Sequence, residues 1–370
     1  MSNNNESRAQ HAVLGIQEER SRYERTTHPN AQWFGSAGLG LFIHWGISSV
    51  HGKIDLSWGM MANTPWDAGA ENRNKTTPRD YFRLAERFRP DRYDPDRWLA
   101  PAAGAGFRYA VMTTRHHDGY AMWPSEHAEF GTGTHLGGRD LVQPYVQGCR
   151  RYGLKVGLYY SPPDWYWNRN YMSFNYGSPA LTAKYPDRPD FDLDHQPATI
   201  PPKPAGWDEA YRDYVRAQVI ELLTRYAPVD LLWFDGGPPV MTISDIRGYN
   251  PGIVVNPRMH GYGDFKTPEC EMPAGPIDGW WELCETWPEC SWGYETPGGE
   301  SYRPLAWMLS RLKQVRRWGG NYLINVCPRP DGTLPDAYFE RMAELTAAGG
   351  FIEPDRQWKG GVGSASRGDV

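Results

Sequence analysis

The stretch YAPVDLLWFDGGPP, residues 226–239, carries a short apolar run through Phe234 that stops on Asp235, followed by two glycines and two prolines. A near-continuous hydrophobic run of this length reads as a strand buried on both faces, the habit of parallel sheets. A carboxylate at its tip serves either as a turn former, since Asp-Gly pairs start turns readily, or as a reactive group. Similar runs recur along the chain at 40–46 (GLFIHWG), 108–114 (RYAVMTT), 154–161 (LKVGLYYS), 252–256 (GIVVN) and 321–328 (NYLINVCP). Between them lie amphipathic segments at 78–88, 140–153, 207–228, 304–320 and 335–350. Thr77-Pro78 supplies a helix start, and Gly153 a stop directly before a strand. Repeated strand–helix units predict an α/β protein built as a (β/α)8 TIM-like barrel, possibly irregular, with a doubly wound sheet as the alternative. The crowded Trp, Glu and Cys residues of 270–300 show no clear period and leave the strand there unplaced. Residues 1–30 read as a partly helical N-terminal extension, 31–350 as the single catalytic domain and 351–370 as a tail.

The chain has 370 residues and a net charge of −5 with no clustered basic face, which argues against a nucleic-acid surface. No apolar run approaches the roughly 20 residues of a membrane span, and the polar start lacks the core of a signal peptide. The cytoplasm is the expected location. The cysteines (149, 270, 284, 290 and 327) are scattered, with no zinc-type spacing. Seventeen Trp and 22 Tyr provide many flat rings able either to fill a core or to stack on sugars.

The strand ends carry the chemistry. His44-Trp45-Gly46, Arg115-His116-His117-Asp118, Tyr159-Tyr160-Ser161, Trp233-Phe234-Asp235 and Asn256-Pro257-Arg258 each close a strand. In a barrel these ends converge on the C-terminal rim, where active sites sit. The adjacent histidines would point to opposite faces of an extended chain, which disfavours a shared metal ion. No HExxH, nucleophile elbow or phosphate-binding glycine loop is present, and no cofactor or metal is expected. Carboxylates among aromatics remain, a composition that suits a sugar. Glycoside hydrolysis needs two carboxyl groups; Asp235 is the first candidate, and Glu269, Glu271, Glu282 and Glu285 are open for the second.

The blocks WFGSAGLGLFIHWGISSV, VMTTRHHDGYAMWPS, GLKVGLYYSPPDW, LLWFDGG, SWGYE and NYLINVCPRPDGTLP, in this order over about residues 33 to 335, resemble the α-L-fucosidases of glycoside hydrolase family 29. The resemblance implies a retaining, exo-acting α-L-fucosidase on a (β/α)8-like domain, with a glycoside or oligosaccharide as partner. Asp235 matches the family nucleophile. The DFKTPE segment makes Glu269 the acid/base, with Glu271 in reserve, and the role requires a raised pKa. The resemblance further implies that His44, His116 and His117 bind sugar hydroxyls. Tyr159 and Trp233 would line the site, and Arg258 would lie near both carboxyls. Phe42 and Trp292 would pack against the C6 methyl.

Three departures stand out. Ser57-Trp58 occupies the place where family members often carry Glu-Trp, so Trp58 remains to stack on substrate while a sugar-binding carboxylate is missing. Too few residues follow Pro335 for the C-terminal β-sandwich of many relatives. The insert at 168–195 reads as a loop able to cover the pocket. The alternatives are the same machinery retuned to another sugar, such as an α-L-galactoside, or a sugar-binding protein without turnover.

Overall fold

The computed structural model describes residues 10–16, 22–64, 76–177 and 183–349. Eight parallel strands form one sheet: β1 (Leu39–Ile43), β2 (Tyr109–Arg115), β3 (Lys155–Tyr160), β4 (Leu231–Phe234), β5 (Val254–Val255), β6 (Phe265–Lys266), β7 (Trp280–Thr286) and β8 (Asn321–Val326). Their order is β6-β7-β8-β1-β2-β3-β4-β5, so β8 pairs with β1 and the sheet curls into a nearly closed barrel. The seam between β5 and β6 is bridged by Asp264, whose backbone and carboxylate both bond Val255, and which also pairs with Arg247. The barrel expected from the sequence is the one found, irregular at this seam.

Side-chain alternation along the strands produces two cores. Leu41, Ile43, Met112, Leu158, Leu232, Phe234 and Ile324 face the helices. Phe42, Tyr109, Val111, Tyr159, Leu231, Trp233 and Leu323 face inward. Gly40 has to be glycine: a Cβ there would lie 2.2 Å from the Tyr109 ring, which crosses the barrel interior. Asp235 extends the inward parity of Leu231 and Trp233, so strand geometry alone aims its carboxylate into the barrel mouth. The other acid of the quoted stretch, Asp230, has a structural task, taking the Val156 N–H and the Lys155 ammonium to fix β4 beside β3.

Helices α1 (Pro78–Phe82), α2 (Asp96–Gly104), α3 (Val142–Arg151), α4 (Trp207–Arg225), α5 (Ile243–Tyr249), α6 (Leu305–Arg317) and α7 (Asp336–Ala347) pack outside the sheet. Thr77 caps α1 through the Asp80 N–H, as the Thr-Pro signal predicts, but the helix tightens into a 3-10 segment at Arg83–Arg87. Helices α2 and α5 and strands β6 and β7 have no counterpart in the sequence reading. Strand β7 is fully buried yet contains Glu282 and Glu285, and these buried acids hide its apolar pattern.

The described part of 1–30 packs onto the barrel. Residues 10–14 are helical, with Leu14 and Ile16 buried in the core, and Arg22–Tyr23 pairs with Tyr262–Gly263. The expected tail, 351–370, lies outside the described residues. No helix among those described is long and apolar enough to cross a membrane.

Candidate active site

The C-terminal mouth of the barrel holds a pocket with about 380 Å³ of empty space. Its wall contains Phe42, His44, Trp58, His116, Tyr159, Trp233, Asp235, Arg258, Glu269 and Trp292, gathered from the rim positions that the sequence singles out. His117 is not part of the wall; its Nε2 lies 3.6 Å from Asp235 Oδ2 and its Nδ1 bonds Ser161 Oγ at 2.5 Å. Gln10, His11, Leu14 and Leu56 complete the lining without having been signalled by the sequence, because residues remote in the chain are brought there only by the fold.

Asp235 is held at both oxygens. Tyr159 donates its hydroxyl hydrogen to Oδ2 at 2.8 Å, and Arg258 Nη1 donates to Oδ1 at 3.0 Å. Gly236 follows at φ +95°, and a Cβ there would crowd Pro163 and the Leu14 carbonyl, at 2.9 and 3.2 Å. The Asp-Gly pair therefore makes a sharp exit from β4 that also leaves room for the N-terminal segment.

Arg258 Nη2 donates to Glu269 Oε2 at 2.7 Å, so one guanidinium spans both carboxyl groups. That guanidinium is fixed by Thr267 and lies over the Trp233 ring, 4.4 Å from its centroid. His11 Nε2 lies 3.0 Å from the same Oε2. Of the four glutamates left open by the sequence, Glu269 alone lines the pocket. Glu271 is exposed. Glu282 is buried within the barrel, accepting from Tyr109 and Trp233, and Glu285 pairs with Arg311 and Tyr322.

The expected rise in the pKa of Glu269 is not found. Burial pushes it up, but Arg258 and His11 outweigh burial and hold the carboxyl well below the usual range. Glu282 rises instead, to about 7, because burial outweighs its hydrogen bonds, and Glu285 is raised as well, burial outweighing Arg311 and Tyr322. Each outcome follows from the balance between burial, which disfavours the carboxylate, and the cations and donors that favour it.

The histidines are neutral near pH 7. Burial pushes His44 and His117 down to about 4 and His116 well below its ordinary value. Asn325 uses its amide hydrogens on the Trp292 carbonyl and Cys327 Sγ, so its Oδ1 accepts from His44 Nδ1–H at 2.8 Å. The network thus assigns His44 Nε2 as an acceptor. Ser57 Oγ accepts the Asp118 N–H and meets His116 Nδ1 at 2.5 Å. Two neutral imidazoles in one pocket suit neighbouring hydroxyls of a sugar.

The expectation that His116 and His117 face apart fails. Strand β2 ends at Arg115 and the chain turns, bringing the two rings to 4.1 Å between centroids. His116, His117 and Asp235 offer ligand atoms within 4.8 Å of one another, the arrangement among the described residues from which a metal could be held. The Arg258 guanidinium on the same aspartate opposes a second cation there. Phe42, 6.0 Å from Trp292 and 5.1 Å from Trp233 between ring centroids, forms an apolar corner. Trp58 is packed edge-on to Trp165 and His117 and is nearly buried. The described part of the 168–195 insert adds nothing to the pocket wall. Its ends pack instead on the segment around Met60–Asn63 and on Arg79, through His195, Asn175 and Asp194.

The family model for α-L-fucosidases matches residues 8–348. The tissue α-L-fucosidase of Bos taurus is 27% identical over 363 residues, covering 90% of this chain and 71% of the relative. α-L-Fucosidase isoenzyme 1 from Paenibacillus thiaminolyticus superposes with a TM-score of 0.68 at 30% identity, covering 86% of this chain and 75% of that one. The Thermotoga maritima α-fucosidase, solved in complex with fucose, gives 0.65 at 27% identity, covering 89% and 74%. A barrel mouth with two carboxyl groups on one arginine, reached by residues throughout the matched span, is thus set within a known lineage: the chain belongs to the α-L-fucosidase family.

Proposed function

We propose that this protein is a retaining, exo-acting α-L-fucosidase in which Asp235 is the nucleophile and Glu269 the acid/base. The observation that carries the assignment is the Arg258 guanidinium bonded to both carboxyl groups at one pocket. A retaining glycosidase needs its carboxyls close, roughly 5–5.5 Å apart, because one of them attacks the anomeric carbon directly.

In the first half-reaction an Asp235 oxygen bonds to C1 as the C1–O bond of the aglycone breaks. Glu269 gives its proton to the departing oxygen, and the sugar is left as an ester on Asp235. In the second, Glu269 takes a proton from water, the hydroxide bonds to C1, and Asp235 leaves as carboxylate. Arg258 links the two halves. While Asp235 is ionised, two carboxyls share one cation; once Asp235 is esterified, the guanidinium serves Glu269 alone and favours its carboxylate, the form required of a base. Arg258 and His11 together already favour that carboxylate.

Phe42 and Trp292 supply an apolar face for the C6 methyl, while His44 supplies an acceptor and His116 a second neutral imidazole for hydroxyls. A sugar bearing a hydroxymethyl at C5 would place a polar group against those rings. A panel of 4-nitrophenyl glycosides tests the assignment: the α-L-fucoside is cleaved fastest, and NMR shows α-L-fucose as the first product. Faster cleavage of the α-L-galactoside, or β-L-fucose as first product, would contradict it.

A further inference from the structure

Glu269 is addressed from two sides, and one of them is the N-terminal segment. Leu14 and Ile16 anchor that segment in the core, and the Ile16 N–H closes a turn on the His11 carbonyl at 2.9 Å. The Leu14 carbonyl fits beside Gly236, next to Asp235, which seats the segment against the tip of β4. From this position His11 Nε2 reaches Glu269 Oε2 at 3.0 Å, the same oxygen that takes Arg258 Nη2 at 2.7 Å. Both groups are largely enclosed, with side-chain exposures of 14% for His11 and 6% for Glu269. On the other side, the loop bearing Glu269 is fastened to β7, since the Cys270 N–H bonds the Cys284 carbonyl and the Cys284 N–H bonds the Pro268 carbonyl.

We propose that His11 is a positioning residue for the acid/base: it clamps Glu269 Oε2 against Arg258, fixes the rotation of the carboxyl, and so directs the proton-carrying oxygen, Oε1, to the aglycone. The proposal rests on the fucosidase reading for the role of Glu269. Two donors approaching one oxygen from different elements fix a carboxyl torsion that a single donor leaves free, and orientation of a proton donor within a few tenths of an ångström is what general acid catalysis requires. His11 also contributes, with Arg258, to keeping Glu269 ionised. The other titratable and charged groups facing Glu269 are Arg258, Asp235 just after β4, His44 just after β1, Tyr159 from β3 and Cys284 from β7. Among the described groups facing Glu269, His11 is the one supplied by the segment preceding the barrel.

Two variants separate positioning from packing. His11→Phe keeps the ring volume but has no N–H; His11→Gln keeps a donor at about the place of Nε2. The expected result for His11→Phe is a basic limb of kcat/KM displaced upward by about half to one pH unit, because Glu269 loses a group that favours its carboxylate. In parallel, kcat/KM on a methylumbelliferyl fucoside falls about tenfold more than on the 2,4-dinitrophenyl fucoside, whose departure needs no proton. His11→Gln restores both properties. A His11→Phe basic limb at the wild-type pH, or a loss of equal size on the two aglycones, overturns the proposal. An activity-independent readout accompanies the kinetics: the imidazole of His11, followed by NMR, titrates about one unit lower in Glu269→Gln than in the wild type. Equal His11 titration in the two proteins overturns the contact itself. Wild-type protein that cleaves no α-L-fucoside would instead defeat the fucosidase reading, leaving the NMR comparison to decide the His11–Glu269 pairing.

Discussion

Asp235 Oδ1 and Glu269 Oε2 accept hydrogen bonds from the two terminal nitrogens of a single guanidinium, that of Arg258, at 3.0 and 2.7 Å. Asp235 comes from a strand tip and Glu269 from a loop before β7, so neither element alone sets their separation. Arg258 does, and it is itself fixed by Thr267 and Trp233.

Replacing Arg258 with Met keeps much of the side-chain length and removes the clamp. We expect kcat to fall by about 10²- to 10³-fold, the scale seen when a preorganised charge at an active site is removed. The sign of the pH effect is fixed. Arg258 lowers the pKa of Glu269, so its loss raises that pKa and moves the basic limb of kcat/KM upward. A pH–rate profile measured on one aryl fucoside checks both. An unchanged basic limb would show that Glu269 is not under Arg258 control.

Glu269→Gln removes the proton without removing the bulk. Hydrolysis of a fucoside with a poor leaving group should drop by about 10²- to 10⁴-fold, the usual worth of a general acid, whereas the first step on 2,4-dinitrophenyl fucoside should be little affected. Pre-steady-state release of the aryl group reads that step directly. A similar loss for both leaving groups would assign the proton to another residue.

Asn325 does not touch the pocket, yet it holds His44 Nδ1–H and the Trp292 carbonyl. Asn325→Leu frees the His44 tautomer and leaves those two groups without this partner. Fucose binding, measured by calorimetry, should weaken about tenfold, and stability should fall by about 1–3 kcal/mol for the unsatisfied buried groups. Unchanged affinity would mean that the His44 tautomer does not matter to sugar recognition.

Glu282 provides a stability test. Its folded-state pKa is raised from 4.5 to about 7, mainly by burial. The folded protein therefore binds this proton more tightly than the unfolded chain. The associated stability is fully present below pH 4.5 and is lost as pH rises to about 7, by up to about 3 kcal/mol. Denaturant melts at pH 5 and pH 8 should differ by less in Glu282→Gln than in the wild type. Identical pH dependence in the two proteins would contradict this.

The quoted Asp235 stretch was legible because strand parity and a following glycine are local properties. The alternation Leu231, Trp233, Asp235 puts the acid inside the barrel, and the resemblance supplied its role. Phe42, His44, Tyr159 and Arg258 lie on or just after strands for the same reason and meet in the pocket. Strand β7 was not legible, since Glu282 and Glu285 break its hydrophobic run while being satisfied by Tyr109, Trp233, Tyr322 and Arg311, partners from elsewhere in the chain. His11 was illegible for a similar reason: nothing in the local sequence says that a polar N-terminal segment returns to Glu269. The pKa of Glu269 departs from the sequence expectation because Arg258 and His11, distant from it in the chain, face its carboxyl only in the folded protein.

The account depends most on Asp235 as the residue that bonds to the sugar. Incubation with 2-fluoro-fucosyl fluoride, followed by proteolysis and mass spectrometry of the labelled peptide, reads this directly. A 2-fluorofucosyl group on Asp235, absent in Asp235→Gly, is the predicted result. A label on any other carboxylate, or time-dependent inactivation that persists in Asp235→Gly, would contradict it.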